Sequence, residues 1–289
     1  MLLINDNIAA LGAENNLDAT DTAMSTVVGQ LSSGLQIQTA ADNPAGYSIA
    51  QSLQSEINGY GAAESNAQTA VSVLQTAQGA INQQEAILQQ ANTIATQAAN
   101  TTTDNGTANT ADTQEFQSLI AQLDQIAQST TYAGINLLNT AAAYTNGSGV
   151  LVSAVGEPVL TFQVGPAAGN ASDEVAVNLV NTSAASLAVS GLSLDSVASA
   201  SAAMTAVQTA IQTLASAAAV LGSSQNQIQT LSNNVTVAQQ NLTSAHADLV
   251  DVNVAQATSQ FTSLQILEQS GISVLSQAQQ LPQLALKLI

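Results

Sequence analysis

ASAAMTAVQTAIQTLASAAAVLGSSQNQIQTLSNNVTVAQQNLTSAHADL, residues 200–249, is the stretch whose reading decides the fold. Every seventh residue in it is apolar: Ala200, Val207, Leu214, Leu221, Ile228, Val235, Leu242 and Leu249. A second ladder with the same step runs through the other half of the chain as Leu53, Tyr60, Ala67, Leu74, Ile81, Leu88 and Ala95. A seven-residue apolar repeat held over this length draws one stripe along a helix and requires a partner helix beside it. Two long helices, distant in sequence, are therefore expected to lie together. With the ladder taken as d positions, the a row of the later helix reads Val197, Met204, Ile211, Ala218, Gln225, Ser232, Gln239 and His246. Its second half is polar, which weakens a coiled coil but fixes its register.

Working outward, residues 1 to about 31 carry Ile4, Ile8, Leu11, Met24, Val27, Val28 and Leu31 on an amphipathic pattern. Ser32-Ser33-Gly34 stops that helix, and Asn43, Pro44 and Gly46 mark a second break after a short extended piece from Leu35 to Thr39. Pro44 suits the first turn of the helix that bears the first ladder to about Asn100. A polar Thr/Asn/Gly loop to about Thr110 precedes a third helix, expected over 112–129, with Phe116, Leu119, Ile120, Leu123, Ile126 and Ala127 on its apolar face. From Tyr132 to about Val180 the period changes. Asn146-Gly147 and Gly165-Pro166 punctuate the β-leaning runs Val150–Val152, Thr161–Val164 and Val175–Val180, a small hairpin region. The second ladder occupies one helix from about Asp195 past Leu249. The last segment resumes an apolar face through Phe261, Leu264, Leu267, Ile272, Val274, Leu275, Leu281 and Leu284. Both ends are thus amphipathic helices without a partner in the central body, and the simplest arrangement pairs them with each other and with copies from neighbouring molecules.

Composition narrows the function. The 289 residues are 46% hydrophobic but only 2% aromatic, so narrow aliphatic side chains must build the interior. Nineteen carboxylates face one lysine, Lys287, one histidine and no arginine, a formal charge of −18. Nothing is left to neutralise phosphates, which argues against nucleic-acid binding and against an anionic membrane surface. The absence of cysteine removes disulfides and thiolate metal sites. No charged-apolar-small leader and no run of eighteen apolar residues occur, so neither a cleavable signal peptide nor a membrane span is expected. Catalytic chemistry is equally thin. His246 with Asp248 and Asp251 nearby is a spacing that any solvated helix shows, and no nucleophile, cofactor site or metal cluster stands out. The N-x-Ser/Thr triplets at Asn100, Asn105, Asn146, Asn170, Asn181, Asn234 and Asn241 are expected by chance in a chain this rich in Asn, Ser and Thr.

The ends also resemble a known family. Leu31-Ser32-Ser33-Gly34-Leu35 followed by Ala41-Asp42-Asn43-Pro44-Ala45-Gly46 resembles the amino-terminal LSSGLRI and KDDAAG runs of bacterial flagellins. Residues 132–138, YAGINLL, are similar to the family's FNG-x-x-LL turn, and Phe162-Gln163-Val164-Gly165 to its LQIG strand. Leu221-Gly222-Ser223-Ser224-Gln225-Asn226 matches LGAxQN, and residues 266–278, ILEQSGISVLSQA, with Leu281-Pro282-Gln283, resemble the carboxy-terminal signature. Six motifs in the right order cover about residues 1–165 and 200–289.

The resemblance implies a mainly α protein: a long antiparallel coiled-coil bundle with a small β-hairpin region at about 139–180 and terminal helices that pair in a helical filament. Residues 1–44 with 250–289 would be the filament core, and 45–194 with 195–249 the helical-bundle domain. Packing and inter-subunit roles fall on Leu31, Leu35, Asp42, Leu53, Leu74, Ile81, Leu88, Leu214, Leu221, Ile228, Leu242, Leu249, Leu267, Val274 and Leu275. The expected partners are copies of the chain itself, the flagellar cap, the hook–filament junction proteins, the export apparatus and its chaperone, in an extracellular filament without cofactors. A hook–filament junction protein and a secreted coiled-coil adhesin or surface-layer component are the alternatives. The chain departs from the family where arginines are usual, at Gln36, Gln227, His246 and Asp248, so inter-subunit salt bridges must give way to hydrogen bonds. Copies charged at −18 repel near neutrality, and most of that charge vanishes only as carboxylates protonate near their reference pKa of about 4. Assembly in acid, in high salt or with divalent cations is the resulting expectation.

Overall fold

A computed structural model describes residues 7–100, 106–139, 159–167 and 173–286. Ile4, the Asn146-Gly147 turn, the Val150–Val152 run and the side chains of Leu281 and Leu284 lie outside the described residues. The elements in order are α1 (Ile8–Ser33), α2 (Pro44–Ala98), α3 (Gly106–Ser129), β1 (Thr131–Tyr132), β2 (Ile135–Asn136), β3 (Val159–Gln163), β4 (Glu174–Asn178), α4 (Val197–Val250) and α5 (Val254–Leu286). The expected architecture, mainly helical with small antiparallel hairpins, is the one observed. The chain divides into two compact units. Unit 1 comprises residues 1–57 and 240–289, and unit 2 comprises residues 58–239. The division falls inside α2 and α4, not at their ends.

Unit 2 is a bundle of α2, α3 and α4 closed by the hairpins. Ladder residues Ala67, Leu74, Ile81, Leu88 and Ala95 of α2 are buried, as are Ala200, Val207, Leu214, Leu221, Ile228 and Val235 of α4. They share one core with Phe116 and Leu123 of α3, Val175 and Val177 of β4, and Leu187, Val189 and Leu194 of the return segment. The helices run antiparallel: Gly61 of α2 lies against the Gln239 amide of α4. Glu64, Gln68 and Val71 face Gln229, Ser232 and Thr236 across a cleft of about 330 Å³.

The second row of each stripe corrects the sequence reading. In α4 it is Ala203, Ala210, Ala217 and Ser224, three residues beyond each ladder position, all buried. The row expected at a positions, Val197 to His246, is half-buried on the shoulder of the stripe. α2 repeats the scheme with Ala70, Ala77, Gln84, Ala91 and Ala98, so large and small residues alternate at steps of three and four. Gln84 is the polar exception on that row. Its Nε2 donates to the carbonyls of Leu123 (3.2 Å) and Thr182 (3.3 Å). Thr182 in turn donates its backbone N–H to Leu138 O at 2.8 Å. Asp124 Oδ1 accepts from Ala184 N at 3.1 Å, and Thr113 Oγ1 accepts from Leu194 N at 3.0 Å. These bonds hold an irregular segment in the core, where unpaired backbone groups would be costly.

α3 begins at Gly106, earlier than expected, because the Thr/Ala/Asn run before Asp112 has no apolar phase to reveal a helix. β1 and β2 form a two-residue hairpin through Ala133 (φ 49°) and Gly134 (φ 83°). Both turn residues have positive φ, as a turn matched to strand twist requires. β3 and β4 pair antiparallel, with Phe162 opposite Val175, and Asn66 Nδ2 of α2 donates to Gln163 O at 3.1 Å. α4 carries an 18-residue window of mean hydropathy 1.3, enough by length and composition alone to cross a membrane. Only 28% of that window is buried in the bundle.

Unit 1 is built on α1 and α5, which also run antiparallel: Asn7 Nδ2 donates to Ala278 O at 2.8 Å. The inward row of α1 is Ala10, Ala13, Leu17, Thr20, Met24, Val27 and Leu31. That of α5 is Ala257, Phe261, Leu264, Glu268, Gly271, Leu275 and Ala278. Both alternate by three and four, the pattern of a coiled-coil seam. Gly271 lets the helices approach closely, since a Cβ there would sit 3.3 Å from Leu17 Cδ1.

Candidate assembly surface

The corner that joins the helices of unit 1 comes from the two motifs near the amino terminus. Gly34 ends α1 in the left-handed conformation (φ 75°), its N–H donating to Gln30 O at 2.9 Å. Glycine adopts this helix end without the Cβ strain that most residues meet there. The chain then reverses and pairs with the break between α4 and α5: Leu35 bridges Asp251, Val252 N donates to Gly34 O at 2.9 Å, and Gln36 N donates to Val250 O at 2.6 Å. Asn253 Oδ1 accepts from Gln256 N at 3.3 Å and caps α5.

Asp42 organises the next turn. Its Oδ2 accepts from Thr39 N (2.8 Å), Gln38 N (3.1 Å) and Thr39 Oγ1 (3.1 Å). The backbone amides of Thr39 and then Gln38 hold its carboxyl below the usual carboxylate range. Asn43 Oδ1 accepts from Gly46 N at 2.9 Å and caps α2, with Pro44 at the first helical position. Gly46 is buried because a Cβ would lie 2.7 Å from both Asn43 Nδ2 and Ile37 Cδ1. Ala41–Gly46 is therefore a packed corner whose residue types are set by backbone bonds and space.

The singled-out residues separate into three environments. Leu74, Ile81, Leu88, Leu214, Leu221 and Ile228 are buried in the core of unit 2. Leu31, Leu35, Leu53, Leu242, Leu249 and Leu275 are half-buried in unit 1. Asp42, Leu267 and Val274 are exposed. The apolar stripes of the end helices are wider than one seam and split accordingly. Met24, Val27 and Leu31 of α1, with Phe261, Leu264 and Leu275 of α5, face inward, whereas Ile8, Leu11 and Val28, with Leu267, Ile272 and Val274, face solvent. Sequence reasoning missed Val254 and Ile266, which join them. Ile8 is 67% exposed, Ile266 64%, Val254 61% and Val274 54%.

These side chains leave aliphatic surface uncovered in the single chain. Beside it, the hollow between α1 and α5, about 320 Å³, is lined by Thr26, Gln30, Gln36, Asn253, Gln256 and Gln260. These neutral amides and hydroxyls donate and accept hydrogen bonds. Among the described residues no group of three or more His, Cys, Asp or Glu is placed to hold a metal ion.

Comparison with known proteins names this architecture. Residues 4–143 match the bacterial flagellin N-terminal helical region and residues 204–289 the bacterial flagellin C-terminal helical region. A flagellin of Bacillus subtilis (strain 168) is 33% identical over 309 residues, covering 99% of each chain. The chain belongs to the bacterial flagellin family. A flagellin of Halalkalibacterium halodurans is 28% identical over the full length of both chains. The fold is shared with a putative flagellar hook-associated protein from Vibrio parahaemolyticus, at a TM-score of 0.57 and 16% identity over 73% of this chain and 100% of that one. Flagellins are structural proteins, the subunits of the extracellular flagellar filament, and this flagellin has the same function.

Proposed function

We propose that copies of this flagellin join through the outward faces of α1 and α5, so that unit 1 forms the core of the filament and the unit 2 bundle its outer layer. The observation that carries this reading is the split stripe. Each end helix has one apolar row satisfied within the chain and further aliphatic side chains left in water, and covering aliphatic surface is the dominant drive for association. The ladder leucines of unit 2 serve the subunit's own stability. The corner at Leu31, Leu35 and Asp42 fixes the angle at which α1 leaves the seam. The role is mechanical, without catalysis, and the partner set implied by the family, namely cap, hook–filament junction proteins, export apparatus and chaperone, belongs to the same reading.

Purified protein should polymerise, with or without sheared filament seeds, into tubes of uniform diameter by electron microscopy. Rings, as expected of a junction protein, or monomers under every acid, salt and seed condition would overturn it.

A further inference from the structure

The charge on unit 1 lies where the subunits must meet. On α1 the row beside the seam, roughly a quarter-turn away at about 100° per residue, reads Leu11, Glu14, Asp18, Asp21, Ser25 and Val28. Its apolar ends, Leu11 and Val28, are exposed, and so are the three carboxylates between them. On the facing helix Glu268 is half-buried at a seam position of α5. The other carboxylates of unit 1 are Asp42, Glu56, Asp248 and Asp251, with Asp6 outside the described residues. Against them stand only His246, half-buried on α4, and Lys287, also outside the described residues. In the free subunit the three α1 carboxylates are solvated and cost little. Every copy in a homopolymer carries the same side chains, so whichever face of a neighbour covers this one brings no side-chain cation besides His246 and Lys287. Covering Leu11 and Val28 carries Glu14, Asp18 and Asp21, already close to one another on one row, out of bulk water with almost no cation to pair them, and ionised groups resist that desolvation.

We propose that docking on this face is gated by protonation of Glu14, Asp18 and Asp21, so that the filament grows as pH falls and dissolves as pH rises. The inference rests on the filament reading above. The sign follows from linkage. Crowding and desolvation make these carboxyls bind protons more tightly in the polymer than in the free subunit, so each subunit added takes up protons. One proton taken up per subunit shifts the critical concentration about tenfold per pH unit.

The test measures critical concentration by light scattering, with electron microscopy of the product, between pH 7.5 and pH 4 at low salt. It uses the full-length protein and its Glu14→Gln/Asp18→Asn/Asp21→Asn variant. The unmodified chain is expected to show a fall of about tenfold or more per pH unit between about pH 6 and pH 4. The variant is expected to polymerise at pH 7.5 as readily as the unmodified chain does in acid. Filaments of the unmodified chain with the same critical concentration at both extremes would overturn the gate and leave the filament reading standing. A variant that keeps the full pH dependence would overturn the assignment to the α1 row. Failure of both proteins to form filaments anywhere in the range would overturn the filament reading itself.

Discussion

Replacing Ile266 by alanine separates the surface that holds subunits together from the core that holds one subunit together. Ile266 is 64% exposed on α5. Full burial of an isoleucine side chain is worth about 1.5–3 kcal/mol. About two-thirds of that, roughly 1–2 kcal/mol, is therefore unspent in the monomer and available to assembly. Since about 1.4 kcal/mol is a factor of ten, Ile266→Ala should raise the critical concentration by up to about five- to thirtyfold. Monomer stability should change by no more than about 0.5 kcal/mol, as for other exposed positions.

Leu214→Ala is the counterpart. Leu214 is fully buried in the bundle, where deletion costs about 2–5 kcal/mol and lowers the melting midpoint by about 4–20 °C for a unit of this size. Thermal unfolding of the monomer by circular dichroism, beside pelleting assays of the polymer, reads both effects. If Ile266→Ala lowers the midpoint as far as Leu214→Ala, that face is already packed within the chain. If it leaves the critical concentration unchanged, the face of α5 that bears Ile266 does not lie between subunits.

Three further outcomes are expected. Gln84→Ala removes the donor shared by Leu123 O and Thr182 O and opens a cavity, costing about 3 kcal/mol in urea unfolding, whereas Gln84→Leu, which restores volume but not the bonds, should cost about 1–2 kcal/mol. The Asp42 carboxylate, held low by the Thr39 and Gln38 amides, stabilises its turn at pH values above the ordinary carboxylate pKa of about 4 and loses that effect as pH falls through its lower folded value; amide exchange at Gln38 and Thr39 should accelerate there, and in Asp42→Ala should be fast at every pH. Ala133→Asn should raise unit 2 stability by about 0.5–1 kcal/mol, seen as a higher melting midpoint, because asparagine tolerates the left-handed conformation that alanine occupies at strain.

The sequence announced the long helices because their stripes repeat without interruption, but it misassigned the second row of the α4 stripe. Met204 and Ile211 are larger and more apolar than Ala203 and Ala210, so hydrophobicity alone favours the wrong shoulder, while the packed stripe takes the small residues. The surface of α1 and α5 was legible as an excess of apolar residues and illegible as a division between two faces, because that division depends on which row α5 occupies. A signal for Gln84 did exist: it is the single amide on a row otherwise made of Ala70, Ala77, Ala91 and Ala98. The return segment around Leu187, Val189 and Leu194 had none. Its order comes from hydrogen bonds to Asp124 and Thr113, and it follows neither a helical nor a strand period.

The bridge between Leu35 and Asp251 has a temporal consequence. Unit 2 is one continuous length of chain, 58–239, whereas unit 1 joins the two extremities, with Asn7 bonded to Ala278 across 271 positions. For a chain that emerges amino terminus first, the bundle has every residue it needs while the seam still waits for α5. The outward face of α1 therefore takes its final orientation last, when the tail arrives. Under the proposed assembly, a subunit becomes competent to join its neighbours only once its own body has closed, and the order of the sequence acts as a clock.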